Sequence, residues 1–360
     1  MKKFDFVVGN PPYQDNNETN NRSTPIYPYF YESAENIANK YILISPARFL
    51  SNTGLTSKSW NQKMLASKHL KILKYMPLSS DVFENTDIKG GLVILFGNNL
   101  ENYEPIEIFI SNDLLKTILL RVKEKTSTNL SSIMYGGRSS LKFNDEFLKK
   151  YPDSALDRLK AIQNRHPNVK RLSVNEEYEL KSSSLEVLPY AFYSKKPNNL
   201  DQYYKITGLF NSRRKDVWIE QKYMNPRYEN NNIENYKVFV PESNGSGEFG
   251  EVLSSPIVGY PNDATTPTFI SIGNFHDLYQ AESCLNYLKT KFLRALLSIK
   301  KVTQHNPPKT WEYVPLQDFT ENSDIDWSQS IAEIDQQLYK KYGLSPEEID
   351  FIEEKVQEME

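Results

Sequence analysis

Apolar residues in this chain come first as short unbroken runs and later as helical stripes. Lys3 to Val8 reads as a buried strand that stops at Gly9-Asn10-Pro11-Pro12, because two prolines offer no N–H to a ladder. Residues 14–28 are polar and rich in Asn, Thr and Pro, which predicts a loop. From Tyr29 to Ala38 the spacing turns helical, with Phe30, Ala34, Ile37 and Ala38 on one face. Tyr41-Ile42-Leu43-Ile44-Ser45 is a second strand, cut off by Pro46. A helix over 57–70 follows, with Trp60, Met64 and Leu65 inward. Ile72 to Met76 and Gly91 to Phe96 read as two further strands. Strands separated by helices predict an α/β unit with a partly parallel sheet.

Beyond residue 100 the texture changes. Residues 112–125 predict one amphipathic helix. Residues 130–317 mix short Tyr-rich strands with turn clusters such as Met134-Tyr135-Gly136-Gly137 and Glu229-Asn230-Asn231-Asn232. Ala281 to Ile299 is the strongest helical stripe, carrying Cys284, Leu288, Phe292, Ala295, Leu296 and Ile299 on one face. Two acidic helices are expected over 329–360, split at Gly343-Leu344-Ser345-Pro346, with Ser345 as N-cap and Pro346 at the first helical position.

Composition narrows the function classes. A length of 360 residues suggests about two domains. No run approaches the roughly 18 apolar residues of a membrane helix, and the start meets an acid too early for a secretory signal, so a cytoplasmic protein is expected. The single cysteine, Cys284, excludes an internal disulfide or a cysteine-rich zinc site, and the four histidines show no paired metal-ligand spacing. The net charge of −3 divides unevenly: residues 318–360 hold 13 acids and 3 bases, leaving 40 bases and 33 acids elsewhere. A mildly basic body with an acidic tail is compatible with a phosphate-bearing partner.

The sharpest chemistry is Asn10-Pro11-Pro12-Tyr13 directly after a buried strand. Enzymes that modify a base flip it out and hold it by hydrogen bonds and stacking. The 6-amino group of adenine is a double donor. It needs two acceptors on a stiff scaffold, here the Asn10 side-chain oxygen and the Pro11 carbonyl, with Tyr13 as the aromatic face. The bland alternative is a strand-ending Asn-Pro turn.

The run Phe4-Asp5-Phe6-Val7-Val8-Gly9-Asn10-Pro11-Pro12-Tyr13 resembles the catalytic motif of amino-group DNA methyltransferases. Tyr41 to Leu50 resembles their next core strand and its loop. Asp81-Val82-Phe83, followed by Asp87 to Phe96, resembles the later strand pair. Leu288 to Arg294 and Tyr313 to Phe319 are similar to the target-recognition region of adenine-specific restriction–modification enzymes, nearest to the fused type IIG class with a TaqI-like specificity region. The resemblance implies an α/β fold with a partial Rossmann-like methyltransferase sheet over 1–110. It implies an irregular α+β target-recognition domain over 111–317, and leaves 318–360 as an acidic helical tail. It further implies double-stranded DNA as partner, Asn10, Pro11, Pro12 and Tyr13 as catalytic positions, and Phe83 as a second aromatic against the flipped base. For Phe83 the alternative is a plain core phenylalanine.

In gamma-ordered members, S-adenosylmethionine binds on segments before the catalytic motif, including a Gly-containing turn. Here that motif begins ten residues from the start, so the donor pocket is expected to be missing from this chain and supplied by a further donor-binding segment or by a second polypeptide. Gly245, Gly247 and Gly250 spell a GxGxxG, but the extended Glu251-Val252-Leu253-Ser254-Ser255-Pro256 follows instead of a helix, which predicts a loop. Asn306-Pro307-Pro308-Lys309 lacks the aromatic and also predicts a loop, placed near DNA by its flanking lysines.

Candidate DNA contacts are Arg213, Arg214, Lys215 and Lys222 with Trp218, and a second cluster containing Lys300 and Lys301. Their alternative is an ordinary solvated face. No acid pair with the spaced Lys of a magnesium nuclease is seen. The resulting expectation is site-specific adenine methylation that needs a donor-binding partner. The competing readings are a non-catalytic DNA-recognition subunit and a truncated remnant.

Overall fold

In the computed structural model the first apolar run folds as β1 (Phe4–Gly9), and the segment after it pairs Gln14–Asp15 (β2) with Thr24–Pro25 (β3) before α1 (Tyr27–Ile37). The structure describes residues 3–15, 24–51, 54–84, 86, 88, 90–110 and 112–359. Residues 16–23 of the expected loop, and Asp87 and Lys89 of the later motif, lie outside the described residues. The ends of the expected 14–28 loop are therefore structured: a short antiparallel pair and the first turn of α1. Pro28 sits in that first turn, where its missing N–H costs nothing.

The chain divides into two units, Met1–Lys116 and Thr117–Glu360. In the first, β1, β4 (Ala38–Pro46), β5 (Leu70–Met76) and β6 (Leu92–Asn98) form one sheet in the order β1-β4-β6-β5. β1 and β4 run parallel, with Val8 opposite Ile42, and the other two pairings are antiparallel. The sequence supports this because β4 and β6 are nearly continuous apolar runs, as strands in the middle of a sheet should be. Alternation then sorts the side chains. Val7, Tyr41, Leu43 and Leu95 share one face with Tyr27, Tyr31 and Ala34 of α1 and with Trp60, Met64 and Leu65 of α2 (Lys58–Ala66). The other face carries Phe4, Phe6, Val8, Ile42, Ile44, Ile94 and Phe96, all exposed or half-buried.

Gly91, just before β6, has φ +73°, and a Cβ there would fall 2.3 Å from the Met76 carbonyl oxygen. Only glycine tolerates both the left-handed backbone and that approach.

The second unit is a mixed α/β body built on small sheets. β7 (Met134–Tyr135), β8 (Leu141–Phe143), β9 (Tyr203–Phe210), β10 (Arg213–Glu220), β11 (Met224–Pro226), β12 (Tyr236–Pro241), β13 (Ile257–Gly259), β14 (Asp263–Thr265) and β15 (Phe269–Phe275) form sheets ordered β10-β9-β14 and β13-β12-β15-β7, plus the pair β11-β8. The chain enters this unit along α3 (Asp113–Lys125). Short helices α4 (Asp145–Lys150), α5 (Ser154–Gln163), α6 (Val174–Glu177) and α7 (Ser184–Val187) follow β8.

The long stripe expected from Ala281 to Ile299 is two helices, α8 (Leu278–Lys289) and α9 (Lys291–Ser298). The apolar face continues through both, but Thr290 is extended and caps α9, its Oγ1 accepting from Leu293 N at 3.2 Å. The buried Asp335 carboxylate then takes the N–H groups of Lys291 and Phe292, each at 2.9 Å. Asp335 lies on α10 (Ile331–Tyr342), which ends at Gly343. α11 (Pro346–Lys355) begins with Ser345 as N-cap, as the pattern predicts.

The acidic segment is not a solvated tail. It buries Trp327, Ile334, Leu338, Tyr339 and Ile352, and its acids neutralise bases of the same unit: Glu348 with Arg121, Glu353 with Lys291. The basic body inferred from composition is thus partly discharged internally. Among the described residues no helix is long and apolar enough to cross a membrane.

Candidate active site

β1 delivers Asn10 to the carboxyl end of the parallel pair β1–β4, the position where open α/β sheets hold ligands. Asn10 is exposed, and its side-chain amide makes no hydrogen bond among the described residues. Pro11 is buried and Pro12 exposed, so the motif is pinned at one proline and displayed at the other. Tyr13 turns inward. Its carbonyl accepts from Ile26 N at 3.1 Å and its ring packs on the core that contains Tyr27 and Tyr31. Among the described residues the Tyr13 hydroxyl is buried without a partner, and that burial raises its pKa, keeping the phenol neutral.

Tyr13 lines a cavity of about 350 Å3 with Tyr27, Pro46, Arg48, Leu55 and Ile88, within the size range of small-ligand sites. Tyr27 is pushed up to about 12 by burial, against the Thr56 hydrogen bond and the nearby Arg48 charge. Arg48 reaches the cavity across Gly90, where a Cβ would fall 2.6 Å from its Cγ. Among the described residues the cavity is therefore lined by two tyrosines, aliphatic side chains, Gln14 and the Arg48 cation. Asn10 does not line it.

Phe83 does not line it either. It is half-buried, held by its backbone: its N–H donates to the Ser79 carbonyl and its own carbonyl accepts from Thr86 Oγ1 at 2.7 Å. Its half-buried ring is compatible with both positions expected for Phe83, against a flipped base or in the core. Tyr27 and Arg48 were not singled out in the sequence. The signal available for Arg48 was its place two residues after the Pro46 that ends β4.

The DNA-contact candidates separate. Asn211 and Ser212 both have positive φ and make a tight two-residue hairpin turn, which sets Arg213, Arg214 and Lys215 together at its end. Arg213 and Arg214 are exposed; Arg214 also donates to the Ser255 carbonyl at 2.7 Å, and Lys215 Nζ lies 4.2 Å from the Phe210 ring centroid. Lys222 is exposed beside Glu220 and Tyr223. Lys300 and Lys301 are a correction. Lys301 is buried, ion-paired with Glu251 and donating to the Asn244 carbonyl at 2.8 Å; Lys300 is paired with Glu312. Both ammonium groups are spent on internal carboxylates, so neither is presented to a phosphate. Nor does the loop they flank display its Asn306, which is fully buried.

The GxGxxG segment is a loop, as expected, and it already holds an anion. The Glu251 carboxylate accepts from Ser246 N at 2.7 Å and Gly247 N at 3.0 Å. Burial pulls its pKa up, yet Lys301 and the two N–H groups hold it below the usual carboxylate range. No helix follows. The residues of this loop do not fit S-adenosylmethionine, and no other glycine-rich strand-to-helix turn occurs among the described residues.

Comparison with known proteins agrees with the motif. Residues 1–83 match the family model described as Eco57I restriction-modification methylase. An uncharacterized adenine-specific methylase of Mycoplasma pneumoniae is 30% identical over 108 residues, covering 29% of this chain and 25% of that protein. Two solved structures are more distant. The type IIG restriction endonuclease BpuSI is 10% identical at TM-score 0.34, over 92% of this chain and 48% of that one. The type IIL restriction-modification enzyme MmeI, solved with DNA, is 12% identical at TM-score 0.40, over 98% and 56%. These structural likenesses are too slight to carry an argument. The chain spans a quarter of the length of the methylase and about half that of the two enzymes. Over residues 1–83, the stretch that carries the Asn-Pro-Pro-Tyr motif, this protein is similar to the Eco57I restriction–modification methylases.

Proposed function

We propose that the chain holds the target adenine for site-specific DNA methylation in a restriction–modification system, and that S-adenosylmethionine is bound by structure that completes its first sheet. Asn10 Oδ1 and the Pro11 carbonyl accept the two 6-amino hydrogens. This turns the nitrogen lone pair outward, toward the methyl donor, and Tyr13 gives the base an apolar aromatic surface. The work is positioning; no covalent intermediate or general base is called for. The observation that carries this reading is the exposed Asn10 amide, unpaired among the described residues, at the carboxyl end of a parallel strand and three residues before the Tyr13 that lines an aromatic cavity.

A second observation supports the missing half. Among the described residues β1 is an edge strand, and Phe4, Phe6 and Val8 are 56%, 42% and 74% exposed on the sheet face opposite α1 and α2. Sheets with parallel strands bury both faces, and an uncovered apolar edge is a liability. A donor-binding segment adding a strand beside β1 and a helix on that face removes the liability. It also brings its strand end beside Asn10.

Calorimetric titration of the full chain with S-adenosylmethionine, followed by a methyl-transfer assay on mixed-sequence DNA, tests both parts. No donor binding and no transfer are expected from the chain alone, with transfer appearing when the donor-binding polypeptide is added and vanishing in Asn10→Ala. Turnover by the chain alone defeats the missing-half claim, and turnover by Asn10→Ala defeats the site. Duplex binding with no transfer under either condition supports the recognition-subunit alternative.

A further inference from the structure

Away from Asn10, the second unit contains a buried cation without a counter-charge. Arg158, on α5, is 5% exposed. Its Nη1 donates to the carbonyls of Glu176, Glu177 and Glu179 at 3.0, 2.9 and 3.1 Å, and its guanidinium lies 4.7 Å from the Phe143 ring centroid. Among the described residues Nε and Nη2 meet no partner and no carboxylate pairs with Arg158. Burial lowers its pKa to about 10, with the Tyr190, Glu179 and Glu177 charges opposing. Native proteins seldom leave guanidinium N–H groups unmade, because each costs its full desolvation.

Arg158 forms part of the wall of a cavity of about 420 Å3, together with Arg165, His166, Lys181, Ser183 and Ser184. Two opposing acids are accounted for. Lys181 bonds Glu176 at 2.9 Å, and Glu186, also on the wall, is turned to the Asn211 N–H at 2.8 Å. That last bond ties the cavity to the turn of the β9–β10 hairpin, whose end carries Arg213 and Arg214. The cavity and the exposed Arg213 and Arg214 are thus neighbours.

We propose that this cavity binds a phosphate group, and that the group is a backbone phosphate of the DNA whose flanking phosphates meet Arg213 and Arg214. Arg165 and the two serines grip the oxygens, and the buried Arg158 supplies charge from behind. The DNA source rests on the proposed function; the phosphate chemistry does not.

Arg158→Met is the obvious variant, but it opens a buried site, so the test uses the exposed Arg165→Glu. In one arm, thermal unfolding of the full chain is followed in inorganic phosphate against chloride at equal ionic strength. In the other, duplex affinity is measured across salt concentration. The wild type gains melting temperature specifically in phosphate, the variant loses that gain, and its log–log salt slope is shallower by about 0.9. A lost gain with an unchanged slope keeps the phosphate site and assigns it to a free phosphate compound. No phosphate-specific gain in the wild type overturns the proposal, whether or not the slope falls, since the slope then reports surface charge alone. A wild type that binds no duplex defeats the proposed function, and the phosphate arm still decides the cavity.

Discussion

Asp335 holds the start of α9 from another helix, and the arrangement has a calculable pH signature. Its carboxylate is almost fully buried and accepts two backbone N–H groups. Burial nevertheless dominates and raises its pKa from 3.8 to about 6; the N–H bonds and Arg294 pull the other way, and Glu353 adds to the rise. The folded state therefore binds a proton more tightly than the unfolded chain between those two values. Stability from this group is fullest below pH 3.8 and is lost as pH rises through 6. The whole rise corresponds to about 3 kcal/mol, of which about 2 kcal/mol falls between pH 4.5 and 7.5. Asp335→Asn keeps one acceptor and cannot ionise. At pH 7.5 it removes the buried charge but forfeits a charge-assisted bond of roughly 1.5–3 kcal/mol, leaving it near wild type. At pH 4.5 the buried-charge penalty is mostly absent from the wild type, so the variant is relatively worse by about 2 kcal/mol. Urea unfolding of both proteins at the two pH values, followed by tryptophan fluorescence, measures the difference directly. A gap that stays constant with pH, or widens toward pH 7.5, refutes the reasoning.

Other outcomes follow from the same geometry. Tyr13→Phe removes a buried hydroxyl that has no partner, so it should raise thermal stability, by about 1 kcal/mol, without reducing methyl transfer by the completed enzyme. Gly91→Ala should cost about 2 kcal/mol or more in chemical denaturation, since a left-handed backbone and a clash with the Met76 carbonyl act together. Thr290→Ala should cost about 1 kcal/mol by loss of the α9 cap, measured the same way. Val8→Lys should leave the melting temperature of the chain within the scatter of surface substitutions while weakening capture of a donor-binding partner; a large loss of stability would mean Val8 is already packed.

The first unit was readable because its strands are short, mostly apolar runs bounded by proline or glycine, signals that act locally. What the sequence did not carry is direction: β5 and β6 pair antiparallel across residues 77–91, a connection long enough that its length does not decide which way the chain returns. The break at Thr290 was hidden because the apolar stripe runs through it, and the groups that stabilise the break sit on α10. Lys300 and Lys301 looked like phosphate contacts for a related reason. Their carboxylate partners, Glu312 and Glu251, are distant or unremarkable in sequence, and a charge run reads as solvated until its partners are known. The Asn10–Tyr13 motif was legible as chemistry. The cavity beside it was not, since it is walled by residues from α1, β4 and the segments after them.

The loop around Gly245 has a consequence of its own. Its anion is tethered five residues away, so the local concentration of carboxylate far exceeds that of any phosphate in solution. Such a loop should keep its shape in water or in concentrated salt alike, behaving as a clasp rather than a receptor. Cutting the clasp with Glu251→Ala would strand the Lys301 ammonium and two N–H donors, and would turn an inert fastening into an acquired receptor for small oxyanions.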